Sequence, residues 1–259
     1  MRGLDVAPYT ALHALRPSRV WAFPGGRLAL VSGGERSGVT VPILAYLLET
    51  DTTRILVDSG LEPRWRDAAD VQEAPEDVPG AGSRYIPELD DESVAEQVRG
   101  RYPDRFFCTH LHHDHSGGAA AVGLPLEVAR PELDRALGAD AAAQGYPVDL
   151  LRQLRLAPFD LDPGRPIGPF RASVELTPDV IAVDTSGHTP GSTSLLVRLR
   201  GGLGLICGDA VYPLLDEPRS PAYLGMLRIR RALLDLDDLV ILPGHDTAVL
   251  RAAGGEAGI

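Results

Sequence analysis

Lysine and asparagine are absent from the 259 residues, so all 25 basic side chains are arginine, and no lysine is present to act as a nucleophile or form a Schiff base. With only two cysteines, Cys108 and Cys207, a disulfide framework is not indicated. Long apolar runs are also missing: VPILAYLL is far too short to span a bilayer, and the first twenty residues lack the apolar core of a secretory signal. Positive charge is in deficit, with a formal net charge of −11 that repels a phosphate backbone. These absences disfavour nucleic-acid and membrane partners and lead us to expect a soluble cytoplasmic protein. They leave the oligomeric state open.

What is present is ample apolar content, 44% of residues, enough to bury a sizeable core. Motifs run through the whole chain with no tandem repeat, so residues 1–259 are read as one domain. Residues 41–49 and 54–57 are aliphatic and flank Thr50-Asp51-Thr52-Thr53, which predicts a hairpin ending at Asp58-Ser59-Gly60. Residues 61–88, rich in Pro, Gly and acids, read either as an active-site flap or as a solvated surface loop. DDESVAEQV predicts a helix capped near Asp90 or Asp91. Residues 105–109 predict a strand, AAAVGLP a short helix and LEVA another strand, followed by helices over 131–137 and 148–154. VIAVDTSGH, STSLLVRL, LGLICGDA and DLVILPGHD read as strands, with a helix over 224–236. Alternating strands and helices, with His and Asp at strand ends, predict a layered α/β fold whose site is built from loops at one sheet edge.

The chemistry concentrates in THLHHDHSGG. His110 and His112 are two apart, so in an extended segment both side chains leave one face and grip one ion. Asp114 and His115 are adjacent and reach a second ion only if the chain turns, for which Gly117 and Gly118 supply backbone freedom. A catalytic ion takes about three protein ligands and keeps a position open, so further donors are needed. Only seven histidines exist, and His188 in SGHTPGS and His245 in PGHD each follow a strand-like run. His188 is assigned to the first ion, His245 to the second, and Asp209 in CGDA bridges them. At this histidine frequency a chance HxHxDH would arise in roughly one chain in a few thousand.

His113 occupies a spacer position and His13 has no partner motif, so both are read as bystanders. Asp58 is read as orienting a ligand histidine rather than ligating, and Cys207 as a buried, inert thiol. Cys108 alternates with His110 and stays open. The donors suit two divalent ions, zinc first, with iron, manganese and cobalt compatible.

His110-Leu111-His112-His113-Asp114-His115, together with Gly187-His188, Gly208-Asp209 and Gly244-His245, resembles the metallo-β-lactamase superfamily. That resemblance implies an αβ/βα four-layer sandwich with the metals at one edge. Within it, VPILAYLLETDTTRILVDSGL, YIPELDDESVAEQ and GDAVY resemble the quorum-quenching N-acyl homoserine lactone lactonases. The implied activity is opening of a lactone or related ester, a small-molecule substrate, with Tyr212 contacting the substrate carbonyl. Two close ions share a water and bring its pKa to near 7, and Asp114 is expected to relay a proton to the departing alkoxide. The region after Gly60 lacks the phenylalanines associated with that family's acyl pocket. A glyoxalase II-like thioesterase uses the same ligand set, and metal binding without hydrolysis is the non-enzymatic alternative. A phosphodiesterase would also use these metals, but the acidic balance argues against RNA.

The assignment separates ligands from bystanders. Alanine at His110, His188 or Asp209 is expected to remove most activity and weaken metal retention, whereas His113→Ala and His13→Ala are not. Elemental analysis of the purified variants checks it, and metal loss in His113→Ala as complete as in His112→Ala would refute the face assignment.

Overall fold

The structure, a computed structural model, describes residues 15–32, 35–62, 84–86, 93–211, 239–254 and 259. His13, Tyr212, the helix expected over 224–236 and most of the 61–88 excursion lie outside the described residues.

Within them the chain forms two mixed β-sheets. The first contains β1 (Arg19–Ser32), β2 (Glu35–Glu49), β3 (Arg54–Val57), β4 (Arg84–Ile86), β5 (Arg105–Phe107), β6 (Leu126–Ala129) and β7 (Leu156–Phe159), in the order β4-β1-β2-β3-β5-β6-β7. The second contains β8 (Ser173–Thr177), β9 (Val180–Asp184), β10 (Thr193–Leu199), β11 (Gly202–Gly208) and β12 (Leu239–Pro243), in the order β12-β11-β10-β9-β8. The expected hairpin is present: β2 and β3 pair antiparallel, Glu49 opposite Arg54, closed by Thr50 N–H donating to Thr53 O at 2.9 Å.

Strand periodicity explains the layering. Along β9, Val180 and Ala182 point into the core between the sheets, while Ile181 and Val183 join a cluster on the far face of the second sheet. Phe107 of β5 and Leu44, Tyr46 and Leu48 of β2 meet them in the central core. Phe106, Cys108 and Ala45 point the other way, under the helices α1 (Val94–Gln97), α3 (Ala119–Val122), α4 (Arg130–Ala136) and α5 (Val148–Leu151). Here α2 denotes His113–Ser116 and α6 Thr247–Ala253. Two sheets face to face with flanking helices are the αβ/βα arrangement. Among the described residues no helix is long and apolar enough to cross a membrane.

The helix expected to be capped near Asp90 or Asp91 instead takes Ser93 as its cap, whose hydroxyl accepts from Glu96 N–H. Ser93 has an extended ψ of 159°, so the helix starts at Val94. A serine hydroxyl three residues before a glutamate satisfies one free helix N–H and so fixes this start.

The sheets are joined at the edge where β2 meets β12. Leu44 N–H donates to Gly244 O at 2.8 Å and the buried Tyr46 hydroxyl donates to Pro243 O at 2.5 Å. At the same edge β3 turns away through Gly60, whose φ of 69° lies in the left-handed region. A Cβ there would stand 2.5 Å from Gly25 Cα. Gly60→Ala therefore meets both backbone strain, of order 1–3 kcal/mol, and a backbone clash. It is expected to lower stability by more than about 2 kcal/mol; urea unfolding measures this, and an unchanged midpoint would refute it.

Candidate metal centre

Five segments leave neighbouring strand ends at this edge. Asp58 follows β3 and residues 108–115 follow β5, which is parallel to β3. His188 lies in the loop after β9, Asp209 follows β11, and His245 follows β12, which is parallel to β11. Parallel neighbours present their carboxyl ends together, and open α/β folds build their sites there.

Three groups of ligand atoms each lie within 4.8 Å of one another: His110, His112 and His188; His110, His115 and Asp209; and Asp114, His115 and His245. All seven side chains assigned to metal from the sequence are thus brought together. Asp209 divides its carboxylate between the two sides. Its Oδ2 is 3.5 Å from His188 Nε2, while its Oδ1 is 3.2 Å from His115 Nε2 and 3.4 Å from His245 Nε2. Asp114 Oδ2 is 3.4 Å from His245 Nε2 and 3.8 Å from His115 Nε2. On the other side His188 Nε2 and His112 Nδ1 are 3.0 Å apart.

These separations fit a metal. In a tetrahedral zinc site, bonds of about 2 Å put neighbouring donors about 3.3 Å apart, the middle of the range seen here. Among the described residues, His110 Nε2 is buried with no hydrogen-bond partner, and the buried His115 Nε2 faces Asp209 Oδ1 without a well-formed hydrogen bond, an arrangement costly unless a cation satisfies these atoms.

The electrostatics point the same way. Burial holds His110, His112 and His188 below the ordinary imidazole range, His112 at about 3, so the three-histidine side presents neutral nitrogens. For His115 and His245 burial also opposes charge, but the carboxylates outweigh it: Asp209, Asp114 and Asp58 raise His115 well above its usual value, and Asp209 and Asp114 raise His245 to about 9. Asp114 falls to about 2, because His115 and His245 overcome the effect of burial. The second side therefore stabilises positive charge where two histidines turn their Nε2 atoms.

Outer contacts fix which nitrogen each ring presents. His245 Nδ1 donates to the Pro42 carbonyl at 2.9 Å, and His115 Nδ1 donates to Asp58 Oδ2 at 2.8 Å, leaving Nε2 of both aimed inward. Asp58 sits at φ 61°, and its carboxylate also receives Thr109 N–H at 2.8 Å and the Thr109 hydroxyl at 2.9 Å. That hydroxyl lies 3.2 Å from His110 Nδ1. Asp58 thus reaches a histidine on each side, one directly and one through Thr109.

His112 is the extended residue before α2, with ψ 159°, and α2 supplies the turn that carries Asp114 and His115 to the other side. Gly117 and Gly118 both adopt right-handed conformations, so left-handed freedom is not their role. Space is: a Cβ on Gly117 would meet His113 O at 2.4 Å, and one on Gly118 would meet Ser59 O at 2.3 Å. His113, half-buried, belongs to none of the three groups. Cys207 is buried with its thiol pushed up by burial, and Cys108 is buried likewise, its Sγ 3.7 Å from His115 O.

Sequence reasoning missed Thr109, Thr189 and Glu132. Glu132 is fully buried on α4 and accepts from Leu111 N–H, between two of the histidines, and from Thr189 beside His188. In RPELDRA it reads as an ordinary first-turn acid, with no local sign of its partners.

The family model of the metallo-beta-lactamase superfamily matches residues 38–245. An N-acyl homoserine lactonase of Bacillus cereus is 28% identical over 208 residues, covering 75% of this chain and 76% of that protein. A solved N-acyl homoserine lactone hydrolase with N-hexanoyl-L-homoserine bound at its catalytic metal centre superposes with a TM-score of 0.65 at 23% identity, over 89% of this chain and 94% of its own. A dizinc quorum-quenching lactonase superposes with a TM-score of 0.56 at 14% identity, over 89% and 88%.

Asp58→Asn preserves shape but puts an amide NH₂ in the carboxylate, where it favours a His115 tautomer with the proton on the inward Nε2. Metal affinity is expected to fall about 10–100-fold, read by zinc titration against a chromophoric chelator. Unchanged affinity would remove Asp58 from ligand orientation.

Proposed function

Because the chain belongs to the metallo-beta-lactamase superfamily, we propose that it is a dinuclear metal-dependent hydrolase that opens the ring of an N-acyl homoserine lactone-like substrate. The observation that carries this reading is the Asp209 carboxylate, one oxygen toward His188 and the other toward His115 and His245. His110, His112 and His188 would hold one ion and Asp114, His115 and His245 the other, with Asp209 lying between the two groups. Bound there, two divalent ions, zinc in the first instance, polarise an acyl carbonyl and bring the pKa of a water to near neutrality.

The chain's own groups do the rest. Outer bonds from Pro42 and Asp58 keep the His245 and His115 rings from reorienting as charge develops. Asp114, held ionised by the neighbouring histidines, accepts the attacking water's proton and returns it to the departing ring oxygen. Tyr212, three residues beyond Asp209, donates to the oxygen of the opening carbonyl. Neither cysteine serves as a nucleophile, since burial pushes both thiols up.

The lactone class is supported by the lactonase relatives and by the placement of Tyr212 in GDAVY. A panel of N-acyl homoserine lactones, thioesters and phosphodiesters, turned over by zinc-loaded protein, tests it. Lactones are expected to give the highest kcat/KM. Turnover of thioesters alone would make the protein a glyoxalase II-like thioesterase, and no turnover of any class would favour metal binding without hydrolysis.

Tyr212→Phe is expected to lower lactone kcat/KM about 100-fold and thioester kcat/KM less, because a thiolate leaves more easily than an alkoxide. Wild-type to mutant ratios near unity for both would remove Tyr212 from the mechanism.

A further inference from the structure

Glu132 is a carboxylate with no solvent exposure, and it lies outside the ligand set. Its Oε1 accepts Leu111 N–H at 2.9 Å. Its Oε2 accepts the Thr189 hydroxyl at 2.6 Å and Gly191 N–H at 3.2 Å. Three donors occupy most of the roughly four acceptor positions of a carboxylate; burial pushes the Glu132 carboxyl up, and these bonds work against that rise.

The donors come from places far apart in the chain. Leu111 lies between His110 and His112, and Thr189 and Gly191 follow His188; beside them Tyr146 packs against the His112 ring with centroids 4.9 Å apart. The loop carrying His188 is pressed onto the start of α4: a Cβ on Gly191 would stand 2.1 Å from Glu132 N. Thr189 is held in turn by Ser192, whose Oγ accepts Thr189 N–H at 3.1 Å, and Thr193 N–H donates to Thr109 O at 2.9 Å. Every one of Glu132's hydrogen-bond partners thus adjoins the His110, His112 and His188 side. Asp58 makes the corresponding contact to His115 on the other side, and Pro42 to His245.

We propose that Glu132 is a positioning residue for the three-histidine metal site, a buried strap that holds the His188 loop against the His110–His112 loop and leaves the Asp114–His115–His245 site to other supports. The proposal rests on the two-metal reading of the centre. Its physical content is a distance: His112 and His188 come from different sheets, their ring nitrogens are 3.0 Å apart, and a third group joins the two backbones beside them. Without the strap, each loop keeps its own fold but loses its register against the other.

Glu132→Gln is the sharp test, because it keeps the shape while replacing one acceptor oxygen with an NH₂. If that NH₂ faces Leu111 N–H or Gly191 N–H, the backbone donor loses its acceptor. Thr189→Val removes one strand of the strap without altering Glu132, and Thr189→Ser restores the hydroxyl. Each is titrated with zinc against a chromophoric chelator and with cobalt, whose visible absorption reports coordination, and thermal unfolding of the metal-free proteins is followed in parallel. In wild type two ions are expected to bind. In Glu132→Gln the affinity of one ion is expected to fall by about tenfold or more with an altered cobalt spectrum, while the other stays within about threefold. Thr189→Val is expected to move in the same direction by less, and Thr189→Ser to recover.

Equal weakening of both ions would mean general loosening of the fold and would overturn the proposal. So would a lowered metal-free melting temperature with both affinities intact. Wild type binding two ions with Glu132→Gln unchanged overturns this inference alone, whereas wild type that takes up no ion overturns the metal reading and this inference with it.

Discussion

Two buried carboxylates, Asp114 and Asp209, face the same small cluster of histidines. Like charges removed from water repel strongly and are stable only where positive charge or aimed donors stand between them. That requirement organises the whole edge of the sandwich. It accounts for the raised proton affinity of His115 and His245 beside the acids, and for the neutral histidines on the side farther from Asp114. It also makes metal uptake an exchange, since cations entering the acidic side displace protons as they bind.

A second tier of groups supports this first one and is chemically distinct from it. Pro42 carbonyl, Asp58, Thr109 and Glu132 hold rings or backbones rather than the centre itself. The two acids of this tier do related work on opposite flanks: Asp58 through imidazole and hydroxyl, Glu132 through two backbone amides and the Thr189 hydroxyl. Because each sits in the hydrophobic interior, its bonds are little screened and its rotamers are fixed by packing. The rigidity of the centre is therefore borrowed from the apolar core, whose alternating strands place Phe107 and Val57 just behind the loops.

The clustered histidines and aspartates were legible in the sequence because a metal-type motif is a dense local signature: four candidate donors within six residues, and two more histidines each following a glycine after a strand. The hairpin at 50–53 and the strand alternation were legible for the same reason, being written over spans of a few residues. What was not legible depends on contacts between distant segments. Glu132 meets Leu111 and Thr189 across 21 and 57 positions, and nothing in RPELDRA distinguishes it from a solvated helical acid. Gly117 and Gly118 were read through backbone freedom, the usual meaning of adjacent glycines, whereas crowding by Ser59 and His113 carbonyls is what demands them. The helix boundary at Ser93 was decided by a hydroxyl reaching Glu96, a contact that a run of neighbouring acids hides.

The parallel pairing of β12 with β11 places His245 beside residues more than a hundred positions earlier. Closing so long a loop is entropically expensive and slow compared with forming the β2–β3 hairpin. On a ribosome, the three-histidine group is complete once residue 188 has emerged, while the other group waits for residue 245. A chain in that interval would already carry one potential metal-gripping cluster on an unfinished sheet edge.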